Sequence, residues 1–525
     1  PGIQGINSRK GISSAEHNPF IALKRCDTGE HTGEVIGMSL VYSGNHMGQV
    51  EVDTCNMTRI QMGIHPDGFA WKLEEGESFQ SPEAVLVYSA DGLNGMSQVY
   101  HKLYRTRLVR GYWRDRERPI LINNWEATGA DFTEEKLLAI AKEGKELGLE
   151  LMVMDDGWFG NRENDHSGLG DWYVKNHKKL PNGIAGLAEK INDLGLKFGI
   201  WIEPEMVSKD SDLYREHPEW ILCPPGRRPS PSRNQYVLDF SRSDVRDYIY
   251  EMLEKVFSES KISYVKWDMN RYLTECYSGA QQAQCQGKVL HQYILGVYAF
   301  YERLRIRFPE ILFESCASGG ARFDPGMLYY APQVWTSDDT DAMERLQIQY
   351  GTSYVYPLSS MGAHVSEVPN QQVGRVTPLE TRINAALFGV FGFELDLAAL
   401  SIQDKKKIKE GVLFAKKYRK LIMSGTFYRL QSPADSNACA WMAVSEDRTE
   451  ALVGYYRLRG VPNGPWIRLR LHGLNENLNY VCSGKESLFF GGDELMNAGM
   501  VIDENELCNG GGDYSSAIYL LTACQ

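Results

Sequence analysis

The stretch Lys266-Trp267-Asp268-Met269-Asn270-Arg271 closes a run (Ile262, Ser263, Tyr264, Val265) that reads as a buried strand. A lysine and a carboxylate at the mouth of such a strand need water or a charged partner to offset their desolvation. Roughly seventy residues later a second strand-like run, Pro332-Gln333-Val334-Trp335-Thr336-Ser337, ends in Asp338-Asp339. Two acidic strand ends are the raw material for breaking a glycosidic bond, a reaction that needs a carboxyl group on each side of one bond.

The elements that must position these groups follow from hydrophobic periodicity. From about residue 118, strand-like runs alternate with amphipathic helical stretches. The strand candidates are 120–125, 149–154, 198–202, 236–239, 262–268, 311–316, 332–338 and 356–361. Helical spacing joins Leu137, Leu138, Ile140, Ala141 and Leu147, with Thr133 as cap and Gly148 as stop. Eight alternations in about 300 residues predict a (β/α)8 TIM barrel. A doubly wound sheet is the alternative, but Asn124-Trp125-Glu126-Ala127 after the first strand is not a Gly-rich phosphate loop. Residues 1–110 read as a β-rich segment, with strands at 33–44 and 84–89. Residues 111–424 read as the catalytic barrel and 425–525 as a β-sandwich with strands near 438–444, 451–456, 466–471 and 516–521. The expected architecture is therefore multidomain, a central barrel flanked by two β-rich parts.

Chemistry on a (β/α)8 barrel sits at the carboxyl ends of the strands. Those ends carry Trp125, Asp155, Asp156, Trp201, Glu203, Lys266, Asp268, Asn270, Cys316, Asp338 and Asp339. Carboxylates that accept bonds from vicinal hydroxyls, a lysine and an amide that tether others, and tryptophan faces that cover a ring suit a sugar. A structural ion-pair network accounts for single members of this set less demandingly than for the whole.

Composition narrows the classes. The chain has 525 residues, 43% apolar and 24% charged, as expected of a globular protein with more than one core. A net charge of −12 argues against nucleic acid or an anionic membrane as partner. The ten cysteines are scattered with no Cys-x-x-Cys pair, which fits a reducing, cytoplasmic setting better than a disulfide framework. No apolar run reaches membrane-spanning length, and Pro1-Gly2-Ile3-Gln4-Gly5 shows no signal segment and no initiator Met. Asp155-Asp156 and Asp338-Asp339 could bind a hard cation, but no EF-hand or His-Glu-x-x-His accompanies them, so no metal or cofactor is expected. No Gly-x-Ser-x-Gly marks a serine hydrolase.

Six motifs in order resemble glycoside hydrolase family 36, the α-galactosidase (melibiase) group. They are Ala15-Glu16-His17-Asn18-Pro19-Phe20, Met154-Asp155-Asp156-Gly157-Trp158-Phe159-Gly160, Trp201-Ile202-Glu203-Pro204-Glu205-Met206-Val207-Ser208, Lys266-Trp267-Asp268-Met269-Asn270-Arg271, Glu314-Ser315-Cys316-Ala317-Ser318-Gly319-Gly320 and Trp335-Thr336-Ser337-Asp338-Asp339-Thr340-Asp341. The resemblance implies a retaining exo-α-galactosidase acting on melibiose- and raffinose-type galactosides. Asp268 would be the nucleophile and Asp338 the general acid and base, with the two carboxyls about 5–5.5 Å apart. Lys266 beside Asp268 should favour its charged form, and Asp339 beside Asp338 should raise the acid. Asp155 and Asp156 would take the 4- and 6-hydroxyls, Lys266 the 3- or 4-hydroxyl and Asn270 the 2-hydroxyl side. Trp201 would border the pocket, Arg233 line its entrance, and Cys316 and Gly319 shape the space around the 2-position, with Trp125 as a further sugar contact.

An α-N-acetylgalactosaminidase, a raffinose-synthase-like transglycosylase, and a carbohydrate-binding protein without turnover are the alternatives. Relatives of this kind carry a larger amino-terminal β-sandwich, so the first 110 residues read as a remnant of it, and a homo-oligomer (a tetramer in similar proteins) is implied. Gly129-Ala130, where the family tends to have aromatics, implies a less enclosed pocket rim.

Overall fold

The structure is a computed structural model and describes residues 1–464, 466–483 and 488–524. Its centre is a closed barrel of eight parallel strands: β1 (Leu121–Asn123), β2 (Leu151–Met154), β3 (Lys197–Ile202), β4 (Ile262–Trp267), β5 (Leu312–Ser315), β6 (Gln333–Trp335), β7 (Met361–Ser366) and β8 (Val390–Glu394). Each strand pairs with the next, and β8 closes on β1 through Gly392↔Leu121 and Phe393↔Ile122. The strands are short, almost wholly buried and rich in apolar residues, as a parallel sheet covered on both faces requires.

The helices between them form where the apolar spacing places them. Glu134–Leu147 buries Leu137, Ile140, Ala141 and Leu147, is capped by the Thr133 hydroxyl accepting from the Lys136 N–H, and stops at left-handed Gly148. Val289–Arg307 packs Phe300 and Tyr301 against Trp267 of β4 and Tyr301 against Phe313 of β5, and Ser243–Glu259 packs against that helix.

Two strands depart from the sequence reading. The run 236–239 is not in the barrel: Gln235–Val237 pairs antiparallel with Met206–Ser208 in an excursion between β3 and β4. The run 356–361 is mostly a turn of 3-10 helix, Leu358–Ser360, and the seventh strand begins only at Met361. The eighth strand is instead Val390–Glu394. Asp268 therefore follows the fourth strand and Asp338 lies beyond the sixth, not the fifth and seventh. Short apolar runs carry no mark of which sheet they join, so periodicity alone cannot separate a barrel strand from a local hairpin.

The amino-terminal segment forms two three-stranded antiparallel sheets, one of Gly2–Ser8, His46–Val52 and Thr58–Ile64, the other of Phe20–Lys24, Val35–Leu40 and Ala84–Ser89. It is fastened to the barrel by buried Asp324, which accepts from the Ser13 and Ser43 hydroxyls, each at 2.6 Å. After the long helix Ile402–Ser424, a six-stranded sheet covered by the pair Ile467–Leu469 and Met500–Ile502 encloses its own apolar core. Arg429 of its first strand pairs with Glu30 of the amino-terminal segment at 3.0 Å. Among the described residues no helix is long and apolar enough to cross a membrane.

Candidate active site

A cavity of about 400 Å³ opens at the carboxyl ends of the barrel strands. Its wall includes Trp125, Asp155, Asp156, Trp201, Arg233, Lys266, Asp268, Asn270 and Asp338, nine of the eleven residues singled out from sequence. The other two stand behind it. Cys316 is buried at 1% exposure, with its backbone N–H on the Trp267 carbonyl. Gly319 adopts φ +80°, and a Cβ there would lie 2.6 Å from the Asp338 amide nitrogen. Its place is to let the loop after β5 press against the Asp338 turn.

Asp268 begins the loop after β4, its amide bonded to the Ile202 carbonyl of β3. Its carboxylate accepts from four N–H groups: Met269 at 2.7 Å and Ser318 at 3.2 Å on one oxygen, Trp201 Nε1 at 3.2 Å and Asn270 Nδ2 at 2.8 Å on the other. Four donors and no acceptor complement a carboxylate and fix its orientation. Ser318 supplies its amide from a left-handed conformation, φ 45°.

Asp338 differs. Its side chain faces open solvent in the cavity, and one N–H donor, Trp335 Nε1 at 3.0 Å, reaches its carboxyl. The protein packed around it and the charge of Asp268 push it up from 3.8 to about 6, against the pull of Lys266, while solvent screens part of that repulsion. The neighbouring Asp339 is not the main cause, contrary to the reading from sequence. The two other carboxylates of this turn have separate work. Asp341 caps helix Ala342–Thr352 by accepting from the Met343 and Glu344 amides, and it pairs with Arg375. Asp339 accepts the Asp341 amide.

Lys266, one residue inside the end of β4, donates to Asp155 Oδ2 at 3.0 Å, with both side chains buried. Burial works against its charge, but Asp155 and the surrounding acids hold it well above the usual lysine range. Asn123 Nδ2 also donates to Asp155 at 2.6 Å, and the Asn124 side chain accepts the Asp155 amide. Asp156 is clasped by Arg162 through Nε at 3.0 Å and Nη2 at 2.8 Å, a bidentate pair. Behind the wall, Glu205 accepts from Arg322, Trp267 Nε1 and Tyr293, with Glu205 and Arg322 both at 0% side-chain exposure. Glu203 accepts from Gln235 Nε2 at 2.7 Å and from Asn270, and burial followed by the Asp268 charge pushes it up to about 8.

Sequence reading missed several parts of the wall as site residues. Arg162, Thr340 and the Gln371–Gln372 edge lie in loops without a pattern. Glu394 went unseen because its strand did, although an acid after an apolar run (Val390, Phe391, Phe393) was the available signal. Glu126 also lines the cavity. Burial and then the charge of Glu394 raise it to about 7, while it accepts from Thr340 Oγ1 at 2.5 Å. Ala130 also lines the cavity. Among the described residues no cluster of three or more His, Cys, Asp or Glu could hold a metal ion.

Comparison with known proteins places this geometry. Residues 78–425 match the melibiase family model, residues 1–74 the glycosyl hydrolase family 36 N-terminal domain and residues 438–521 its C-terminal domain. The chain is 56% identical over 524 residues to α-galactosidase AgaA of Geobacillus stearothermophilus, covering 100% of this chain and 71% of the relative. It is 48% identical over 498 residues to α-galactosidase Mel36A of Lactobacillus acidophilus, covering 95% and 68%. The crystal structure of an AgaA variant in complex with raffinose superposes with a TM-score of 0.97 at 55% identity, covering 100% of this chain and 72% of that one. The α-galactosidase from Lactobacillus brevis superposes at 0.98 with 46% identity, covering 100% and 71%. With a family 36 model matched over most of its length and an acidic cavity at the mouth of its barrel, the chain belongs to the glycoside hydrolase family 36 α-galactosidases, the melibiases.

Proposed function

We propose that this α-galactosidase removes terminal α-galactosyl units from raffinose-type oligosaccharides by a retaining double displacement, with Asp268 as nucleophile and Asp338 as general acid and then base. One observation carries the reading: the two carboxyls line a single cavity in opposite surroundings, Asp268 held by four N–H donors and Asp338 pushed toward its protonated form. Two acids in such different surroundings are suited to divide the nucleophilic and acid roles between them. Raffinose and stachyose are the ligands of AgaA variants at 55% identity, which supports the substrate class.

In the first step an Asp268 oxygen attacks the anomeric carbon as Asp338 gives its proton to the glycosidic oxygen. The bond to the leaving sugar breaks and a galactosyl ester forms. In the second, Asp338 takes a proton from water, the water oxygen attacks the same carbon, and Asp268 leaves as a carboxylate. Lys266, Asp155 and Asp156 hold the 3-, 4- and 6-hydroxyl edge, Asn270 the 2-hydroxyl side, Trp201 the inner wall, and Trp125 and Arg233 the mouth. The pairs Lys266–Asp155 and Arg162–Asp156 keep these acids in place without substrate, so little ordering remains for binding.

The test is turnover of p-nitrophenyl α-galactoside with proton NMR of the first-formed sugar. The α anomer is expected, and a β anomer appearing first would sink the mechanism. Asp268→Ala should be inactive until azide is added, then yield β-galactosyl azide; unassisted turnover by that variant would remove Asp268 from the role.

A further inference from the structure

Glu394, the last residue of β8, is 3% exposed yet contributes to the cavity wall beside Lys266, Asp155 and Asp338. Its Oε2 is bonded to His364 Nδ1 of β7 at 3.1 Å. No protein hydrogen bond among the described residues engages Oε1. The histidine is itself immobilised. Its ring lies 4.3 Å from that of Trp335, and it fills the space left by Gly392, where a Cβ would meet its Cδ2 at 2.7 Å. Burial, against the pull of Glu314 and aided by the charges of Arg345 and Lys266, drives His364 down to about 3, so the ring is neutral and carries a single N–H. One carboxyl oxygen is thus locked by a rigid partner, and the other, without a protein partner among the described residues, belongs to a side chain on the cavity wall. An oxygen so placed is open to a hydrogen bond from whatever enters the cavity, water or a sugar hydroxyl. The charged groups near it are Lys266, Asp155, Arg345, Glu126 and Asp338. Its neighbours on the wall thus include the Lys266–Asp155 pair, assigned above to the 3-, 4- and 6-hydroxyl edge of the sugar.

We propose that Glu394 is a specificity-determining residue that hydrogen-bonds the galactosyl unit at its 3- or 4-hydroxyl, with His364 as the positioning residue that aims it. The proposal rests on the cavity being the galactosyl site. Burial pushes the Glu394 carboxyl up to about 7 despite Lys266, so near neutrality it can either give or take a hydrogen bond. A group with that freedom suits a hydroxyl, which is also both donor and acceptor.

The experiment compares wild type, Glu394→Met (similar length, no hydrogen bond), Glu394→Gln and His364→Ala on p-nitrophenyl α-galactoside and its 2-, 3-, 4- and 6-deoxy analogues, with a thermal scan of each variant. Expected is a fall in kcat/KM of about 30-fold for Glu394→Met on the parent substrate. That deficit should shrink to under about threefold on the 3- or the 4-deoxy analogue and persist on the 2- and 6-deoxy ones. Glu394→Gln should lose less than Glu394→Met, and the loss of His364→Ala should follow the same substrate pattern. An equal deficit on all five substrates would make the residue merely structural, and a deficit that vanishes on the 2-deoxy analogue would overturn its placement. If Glu394→Met does not fold, Glu394→Gln is judged by the same pattern. A wild type inactive on the parent substrate would sink the galactosidase reading itself rather than this one.

Discussion

The pH dependence of Asp338 follows from where the side chain sits. Surrounding protein and the Asp268 charge move it from 3.8 to about 6, with Lys266 opposing. The acid role needs the proton on, so activity is present below that value and is lost as pH rises through it. In kcat/KM, which reports the free enzyme, the alkaline limb should have its midpoint near pH 6 and fall tenfold per unit beyond it. Two units above the midpoint only about 1% of the enzyme carries the proton, so raffinose turnover at pH 8 should be about a hundredfold below its plateau. Asp338→Asn removes the proton altogether. A general acid contributes about 10²–10⁴-fold, and that loss should appear on raffinose, whose leaving group is a poor one. On an aryl galactoside with an acidic phenol the first step needs no proton, and the loss should be much smaller. Steady-state kinetics across pH 4–9 on both substrates, for wild type and variant, is the assay. An alkaline limb that survives unchanged in Asp338→Asn, or equal losses on the two leaving groups, would refute the assignment of the proton to Asp338.

Three further outcomes follow from the packing around the site. Lys266→Met leaves Asp155 buried without its cation and should lower kcat/KM by about 10²-fold or more, read on p-nitrophenyl α-galactoside. Arg322→Met strips the cation from fully buried Glu205 and should destabilise the chain by about 3–5 kcal/mol, measured by denaturant titration; a change under about 1 kcal/mol would show that Trp267 and Tyr293 satisfy Glu205 alone. Gly319→Ala places a methyl against the Asp338 amide at a positive φ, so it should cost about 1–3 kcal/mol and impair raffinose turnover more than aryl galactoside turnover.

Much of the site was legible because its groups sit next to strands whose apolar runs are unmistakable. Asp155-Asp156 after 149–154 and Lys266 to Asn270 after 262–265 needed only the rule that barrel chemistry gathers at strand ends. The resemblance then chose Asp338 from the acid-rich turn Asp338-Asp339-Thr340-Asp341. The folded chain gives Asp339 and Asp341 other tasks, a turn contact and a helix cap.

By itself, the sequence determined the class of fold, the helices with capped ends such as Glu134–Leu147, and the chemical character of the wall, since these depend on local periodicity and residue type. It did not determine the order of the strands around the barrel. The Gln235–Val237 segment and β8 are both brief apolar runs, and only pairing with partners distant in sequence assigns one to a hairpin and the other to the barrel. Tertiary structure alone brought Glu394 and Arg162 to the cavity, withdrew Cys316 and Gly319 behind it, and set Asp268 and Asp338 in contrasting environments. The physical reason is that burial, charge and hydrogen-bond partners at a site are supplied by residues far apart in the chain, so they have no value until the barrel closes.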